Sequence, residues 1–187
     1  MKAYIKTGLE MLQKHFSPLD FNFFLNQMPI ILDLARGMSD MEGREFDRRG
    51  YLTVMDGTNG EIIFTVPFGE IPKDKQEKYF ELSQEKAHRL FSQVCMNLPD
   101  GHTSSFQSRN VDEDKYGGSI YLNLHSTVLI LSFSGMPELI DEAMMIVLAE
   151  KVRIEIGKSP RKKIEACYRN QYWELLLKKL NQHELTH

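Results

Sequence analysis

Cysteine is scarce in this chain: Cys95 and Cys167 are the two among 187 residues. They form no redox or metal-binding motif and read as reduced thiols of a cytosolic protein, with a disulfide between them left open. A basic excess is missing as well. The formal net charge is -3, so no global positive field invites nucleic acid. No apolar run approaches the ~20 residues that a membrane-spanning helix needs. The start, Met1 to Gly8, leads into neither a long apolar stretch nor a small-residue cleavage site. The expectation is a cytoplasmic protein without a signal peptide, with neither membrane nor nucleic acid as a partner. Internal repeats and low-complexity segments are absent, and no catalytic constellation stands out.

What is present is enough apolar material, 42% of residues, for a core. The length suits one domain, 1–187, with terminal extensions. Its most legible stretch runs from Tyr116 to Glu150. Ile120, Leu122 and Leu124 alternate with Tyr121, Asn123 and His125, the period of a half-buried strand. After His125-Ser126, the run Thr127 to Phe133 is almost continuously apolar, which suits a central strand covered on both sides. Ser134-Gly135 ends it. Pro137 then fits a helix's first turn, and Glu138, Asp141 and Glu142 complement the helix dipole. Ile140, Ala143, Met144 and Val147 follow helical spacing.

Upstream, residues 3–16 read as an amphipathic helix, with Ile5, Leu9, Leu12 and Phe16 on one side. A second helix is predicted from Asp20 to Arg36, kinked or split at Pro29 and stopped at Gly37. Ser39 to Arg49 reads as a charged loop or short polar helix. Tyr51–Met55 and Glu61–Val66 flank Asp56-Gly57-Thr58-Asn59-Gly60, a strong hairpin signal. A helix follows from Lys73 to Val94, then a polar connection in which Thr103–Gln107 is a candidate edge strand. Val152, Ile154 and Ile156 fit a strand or a helical continuation, and a last helix is predicted from Pro160 to Asn181. The order implies an α+β fold: one antiparallel sheet of four or five strands flanked by helices.

Four landmarks in sequence carry a family resemblance. They are Val54-Met55-Asp56 with Gly60, the helical Ser83-Gln84-Glu85-Lys86-Ala87, Gly117-Gly118 before a strand, and Ser134-Gly135 before an acidic helix start. Roughly residues 50–150 thereby resemble the GlcG/HbpS-like family, whose members have a profilin-like fold, and the corresponding core spans 50–156. Residues 1–49 form an N-terminal helical extension and 157–187 a C-terminal helix outside that core. The family's proline after Gly-Gly is Ile120 here, and two glycines of its last strand correspond to Leu129 and Ser132. The resemblance implies a small-molecule or haem-binding module, often homo-oligomeric, rather than a defined enzyme. If the family's glycines make room for a ligand, this chain has filled the space, and a structural or interaction role follows instead.

Each candidate site residue has two readings. Lys86, matching the family's helical lysine, either meets a carboxylate or propionate of a ligand, or is a solvated lysine paired with Glu85 or Glu81. Gly117 and Gly118 either let backbone approach a ligand or turn the chain into a strand. Ser134 and Gly135 either present N–H groups to an anion or simply turn the chain. His102 and His125 are axial haem ligands or surface residues. Cys95, near His88 or His102, is a thiol nucleophile or a buried inert cysteine. Tyr168, Tyr172 and Trp173 pack on the sheet or form a dimer interface. His183-Glu184-Leu185-Thr186-His187 matches the zinc-hydrolase pattern H-E-x-x-H, with His183 and His187 as ligands, but sits where helices fray.

Overall fold

The computed structural model describes residues 21–36, 38, 49–96, 103–124, 128–157 and 169–186. The expectations for 3–16, Gly37, 39–48, His102, His125, Cys167, Tyr168, His187 and the first part of the last helix fall outside these residues.

Helix α1 spans Phe21–Arg36 and buries Phe24, Met28, Ile31, Leu32 and Ala35 at helical spacing. It is continuous through Pro29, so of the kink or split expected there the split is not observed. Pro29 and Leu25 both lie on the exposed side, where water can serve the carbonyl that a proline leaves without its helical N–H. Strands β1 (Gly50–Asp56) and β2 (Ile62–Phe68) form the predicted hairpin. Its turn is closed by the Thr58 N–H to Asp56 Oδ1 at 2.8 Å and the Gly60 N–H to Asp56 O at 2.8 Å. Helix α2 is Lys73–Cys95.

Two short 3-10 turns, Ser105–Ser108 and Val111–Glu113, occupy the polar connection. The edge strand expected at Thr103–Gln107 is reduced to one bridge, Ser104 with Ile120. The reason is local: Ser104 Oγ accepts the Phe106 N–H and curls the chain away. Strands β3 (Ser119–Asn123) and β4 (Val128–Ser134) follow, then helix α3 (Glu138–Glu155). The ambiguous Val152–Ile156 segment is thus helical up to Glu155. Helix α4, Tyr172–Thr186, runs past the expected end at Asn181.

The sheet order is β2-β1-β4-β3, every pair antiparallel, so the α+β architecture expected from the sequence, one antiparallel sheet flanked by helices, is the one observed. The almost unbroken apolar run of β4 is central, as its composition requires. One face of the sheet packs against α1, α3 and α4 in a large apolar cluster. Tyr172 and Trp173 lie inside that cluster, at 3% and 8% exposure, so they are core residues and not an interface. Helix α2 covers the other face, where Met55, Ile130, Ala87 and Leu90 make a smaller cluster.

Between that smaller cluster and the end of the sheet nearest α3 runs a row of hydroxyls. Thr65, Thr53, Ser132 and Ser119 are cross-strand partners across all four strands. Ser83 of α2 donates to Phe80 O at 2.8 Å, which uses its one proton. In its 2.8 Å contact with Thr53, Thr53 is therefore the donor. Thr65 then donates to Thr53 at 3.0 Å, and Gln84 donates to Thr65 at 3.1 Å. On the other side Ser119 donates to Ser132, and Ser132 donates to Ser83 O at 2.7 Å. Every buried hydroxyl of the row is satisfied, which is the condition under which such a network is tolerated.

Candidate functional site

One turn beyond Ser83, the same helix carries Lys86, which is 2% exposed. Its Nζ donates to Phe133 O at 2.9 Å and to Asp141 Oδ2 at 3.0 Å. Neither Glu85 nor Glu81 is its partner: Glu85 pairs with Arg89. The solvated-lysine reading is therefore corrected, because the hydroxyl row draws this part of α2 close to the sheet and turns Lys86 inward. Asp141 is 1% exposed and also receives the N–H groups of Met136, at 3.1 Å, and Gly135. Burial pushes its carboxyl up to about 6, against the opposing pull of Lys86 and those N–H groups.

The glycines explain themselves at this point. Gly118 has φ +121°, and a Cβ there would stand 2.8 Å from Asp141 Cβ and 3.0 Å from Lys86 Nζ. Gly135 has φ +156°, and a Cβ there would meet Arg49 O at 2.1 Å. Both positions need backbone that an L side chain would strain or block. Of the Ser134-Gly135 pair, Gly135 does present its N–H to an anion, but the anion is the chain's own Asp141. Gly117 is tied in through its N–H to Glu138 Oε2 at 3.0 Å. Lys86, Gly117, Gly118, Ser134 and Gly135, named from sequence as separate candidates, thus converge within one locality. What the sequence reading missed is the group at its centre, Asp141, read there only as one of three acids at a helix start.

Above this locality opens a cleft of about 780 Å³. Lys86, Asp141, Ser134 and Gly135 line its bottom. Lys75, Lys78, Tyr79 and Leu82 of α2 form one wall at helical spacing; Arg109, Val111 and Tyr116 form a second, and Met136 to Leu139 a third. The Tyr116 hydroxyl donates to Asp114 at 3.0 Å, which holds its phenol above the usual range. Arg89 anchors the second wall, donating to the carbonyls of Ser105, Ser108 and Tyr116. Glu142, one residue after Asp141, is fully buried. It takes hydrogen bonds from Ser104, Arg169 and Asn170, and burial raises its pKa. Asn170 Oδ1 accepts the Tyr172 N–H at 3.0 Å, so this cluster also fixes the start of α4.

Other candidates lie apart from the cleft. Cys95 is exposed at the end of α2, not the buried cysteine expected, because the helix turns that position to solvent. His183 lies on α4, and the H-E-L-T stretch is helical. Among the described residues no group of three His, Cys, Asp or Glu side chains could hold a metal ion. Among them too, no helix is long and apolar enough to cross a membrane.

No family model matches the chain, and no curated protein matches it. Among solved structures it is similar to the Klebsiella pneumoniae protein ORFY, described under the family label DUF336. The identity is 12% and the TM-score 0.37, over 65% of this chain and 84% of that one. A likeness of that size is a distant similarity of fold at most and says nothing of a ligand.

Proposed function

We propose that this protein is a non-enzymatic binding module whose ligand is a small organic acid seated in the cleft between α2, the Arg109–Tyr116 segment and the start of α3. The observation that carries this reading is the lining itself. A concavity of about 780 Å³ falls within the ~300–1,000 Å³ range of small-molecule sites. Its apolar walls, Leu82, Val111, Met136 and Leu139, suit an organic body, while Lys75, Lys78 and Arg109 suit an anionic group. Haem fits the lining less well, since no histidine or cysteine is among the described residues around the cleft. Self-association belongs to the same proposal. Strand β2 is a sheet edge with no further strand paired to it among the described residues, and an unpaired edge is a template for a second chain.

A second reading, a structural or interaction protein with the family's pocket filled, is favoured by Leu129 and Ser132, both fully buried where the family has glycine. Thermal shift separates the two. The chain is melted with benzoate, 2-naphthoate, succinate and haem at saturating concentration. The binding reading expects at least one acid to raise the melting temperature of the wild type. It expects a smaller rise in Lys75→Glu/Lys78→Glu, whose altered side chains are exposed and leave the fold alone. No shift with any acid overturns this reading and leaves the structural one.

A further inference from the structure

We infer that Arg109 is the head-group receptor of the cleft and selects a carboxylate carried on an apolar body. The inference rests on the binding role proposed above and goes on to name the residue and the chemistry it recognises. Arg109 Nε donates to Glu138 Oε1 at 2.6 Å. Glu138 Oε2 accepts the Gly117 N–H at 3.0 Å. The backbone therefore holds the carboxylate, and the carboxylate holds the guanidinium. The group also lies over the Phe106 ring, its Cζ 5.7 Å from the centroid.

These contacts occupy one of the five N–H donors of an arginine. The terminal nitrogens, Nη1 and Nη2, have no hydrogen-bond partner among the described residues, and Arg109 lines the cleft. A guanidinium whose direction is set while its fork stays unfilled is pre-organised for a planar anion bound by two parallel hydrogen bonds. Lys86 is different: it spends its charge on Asp141 beneath the cleft. The head group is thus received on the Arg109 wall rather than at the bottom. Leu82, Val111 and Leu139 beside it give an attached apolar body something to cover, which a bare inorganic anion lacks.

The test is calorimetric titration of 2-naphthoate, its neutral amide 2-naphthamide, and inorganic phosphate into wild type, Arg109→Gln and Arg109→Lys. The wild type is expected to bind 2-naphthoate more tightly than the amide. Both substitutions are expected to weaken the acid about tenfold or more, as loss of a charge-assisted pair does, and to leave the amide unchanged. The Arg109 side chain is 41% exposed, so unchanged melting temperatures are expected to show both variants folded. Equal affinity of the acid for wild type and Arg109→Gln overturns the inference while the binding role stands. Full retention in Arg109→Lys overturns the fork geometry, and with it the inference, because charge alone then suffices. Phosphate bound in preference to 2-naphthoate overturns the choice of carboxylate. Failure of every acid in the thermal-shift panel overturns the binding role and this inference together.

Discussion

On the sheet face covered by α1, α3 and α4, Val66, Leu52 and Phe133 lie in one cross-strand row, and Phe64, Val54, Leu131 and Ile120 in the next. On the face under α2 the corresponding row is Thr65, Thr53, Ser132 and Ser119. The same four strands therefore hold their helices in two ways. Apolar burial is strong but non-directional, and it leaves the position of α3 to be set by shape. The hydroxyl row is directional. Thr53 reaches the Ser83 hydroxyl and Ser132 the Ser83 carbonyl, so one residue of α2 is pinned at a defined height above the sheet. Small side chains in this row also let the helix come close. Lys86 is delivered to Phe133 O and Asp141 as a consequence, and the cleft opens where α2 runs on past the row toward its N-terminus. One face stabilises the fold; the other positions the candidate site.

The comparison is broken most severely at the ion pair that links the α2 side to α3. Lys86→Met or Asp141→Leu alone leaves a buried charge without its partner and is expected to cost about 3–5 kcal/mol. The double variant removes both charges and is expected to recover most of that loss. Urea unfolding of the three variants checks this; additive losses in the double variant contradict a coupled pair.

Between the two faces the expected contrast is one of size. Leu131→Ala opens a cavity in the large cluster and is expected to cost about 2–5 kcal/mol. Ser132→Ala, one residue along and on the opposite face, deprives Ser83 O and Ser119 of their partner, at about 1–3 kcal/mol. Its second readout is the cleft. Ser132→Ala is expected to weaken acid binding because α2 is no longer pinned, whereas Leu131→Ala is not. Equal effects of the two on binding would remove the division of labour.

The last contrast lies in pH dependence. The Asp141 carboxyl is held at about 6, above its ordinary value, because burial disfavours its charge. The folded chain therefore binds this proton more tightly than the unfolded chain does. Its contribution to stability is complete below about pH 4 and is lost as the pH rises through 6. Asp141→Asn is expected to remove a slope of up to ~1.4 kcal/mol per pH unit within that window. Unfolding of wild type and variant between pH 4 and 7 reads the difference. Parallel curves contradict the assignment.

Much of the fold was readable in the chain. Asp56-Gly57 and Asn59-Gly60 mark the first hairpin, alternation at Ile120 and Leu122 marks β3, and the apolar run of β4 marks the central strand. These signals are local, since turn chemistry and period two need no partner elsewhere. Lys86, Gly118, Ser134 and Gly135 were also identifiable as candidates, through the family resemblance. Asp141 was not. Whether an acid in the first turn of a helix faces water or a lysine 55 positions away depends on how two helices pack on opposite faces of a sheet. Arg109 gave no signal either: the direction of its guanidinium is set by a carboxylate 29 residues away, itself held by a glycine N–H.

The amino-acid order by itself determined the four strands and the helices between them, because each is a matter of neighbours along the chain; the row of Thr53, Thr65, Ser119 and Ser132 exists only because β1 pairs with both β2 and β4. Only the tertiary structure decided that Lys86 is buried, that Asp141 occupies the N–H groups of Gly135 and Met136, and that a cleft stands above them. Charge pairing and concavity arise from groups brought together across layers, and no local pattern encodes which of many lysines and acids will meet.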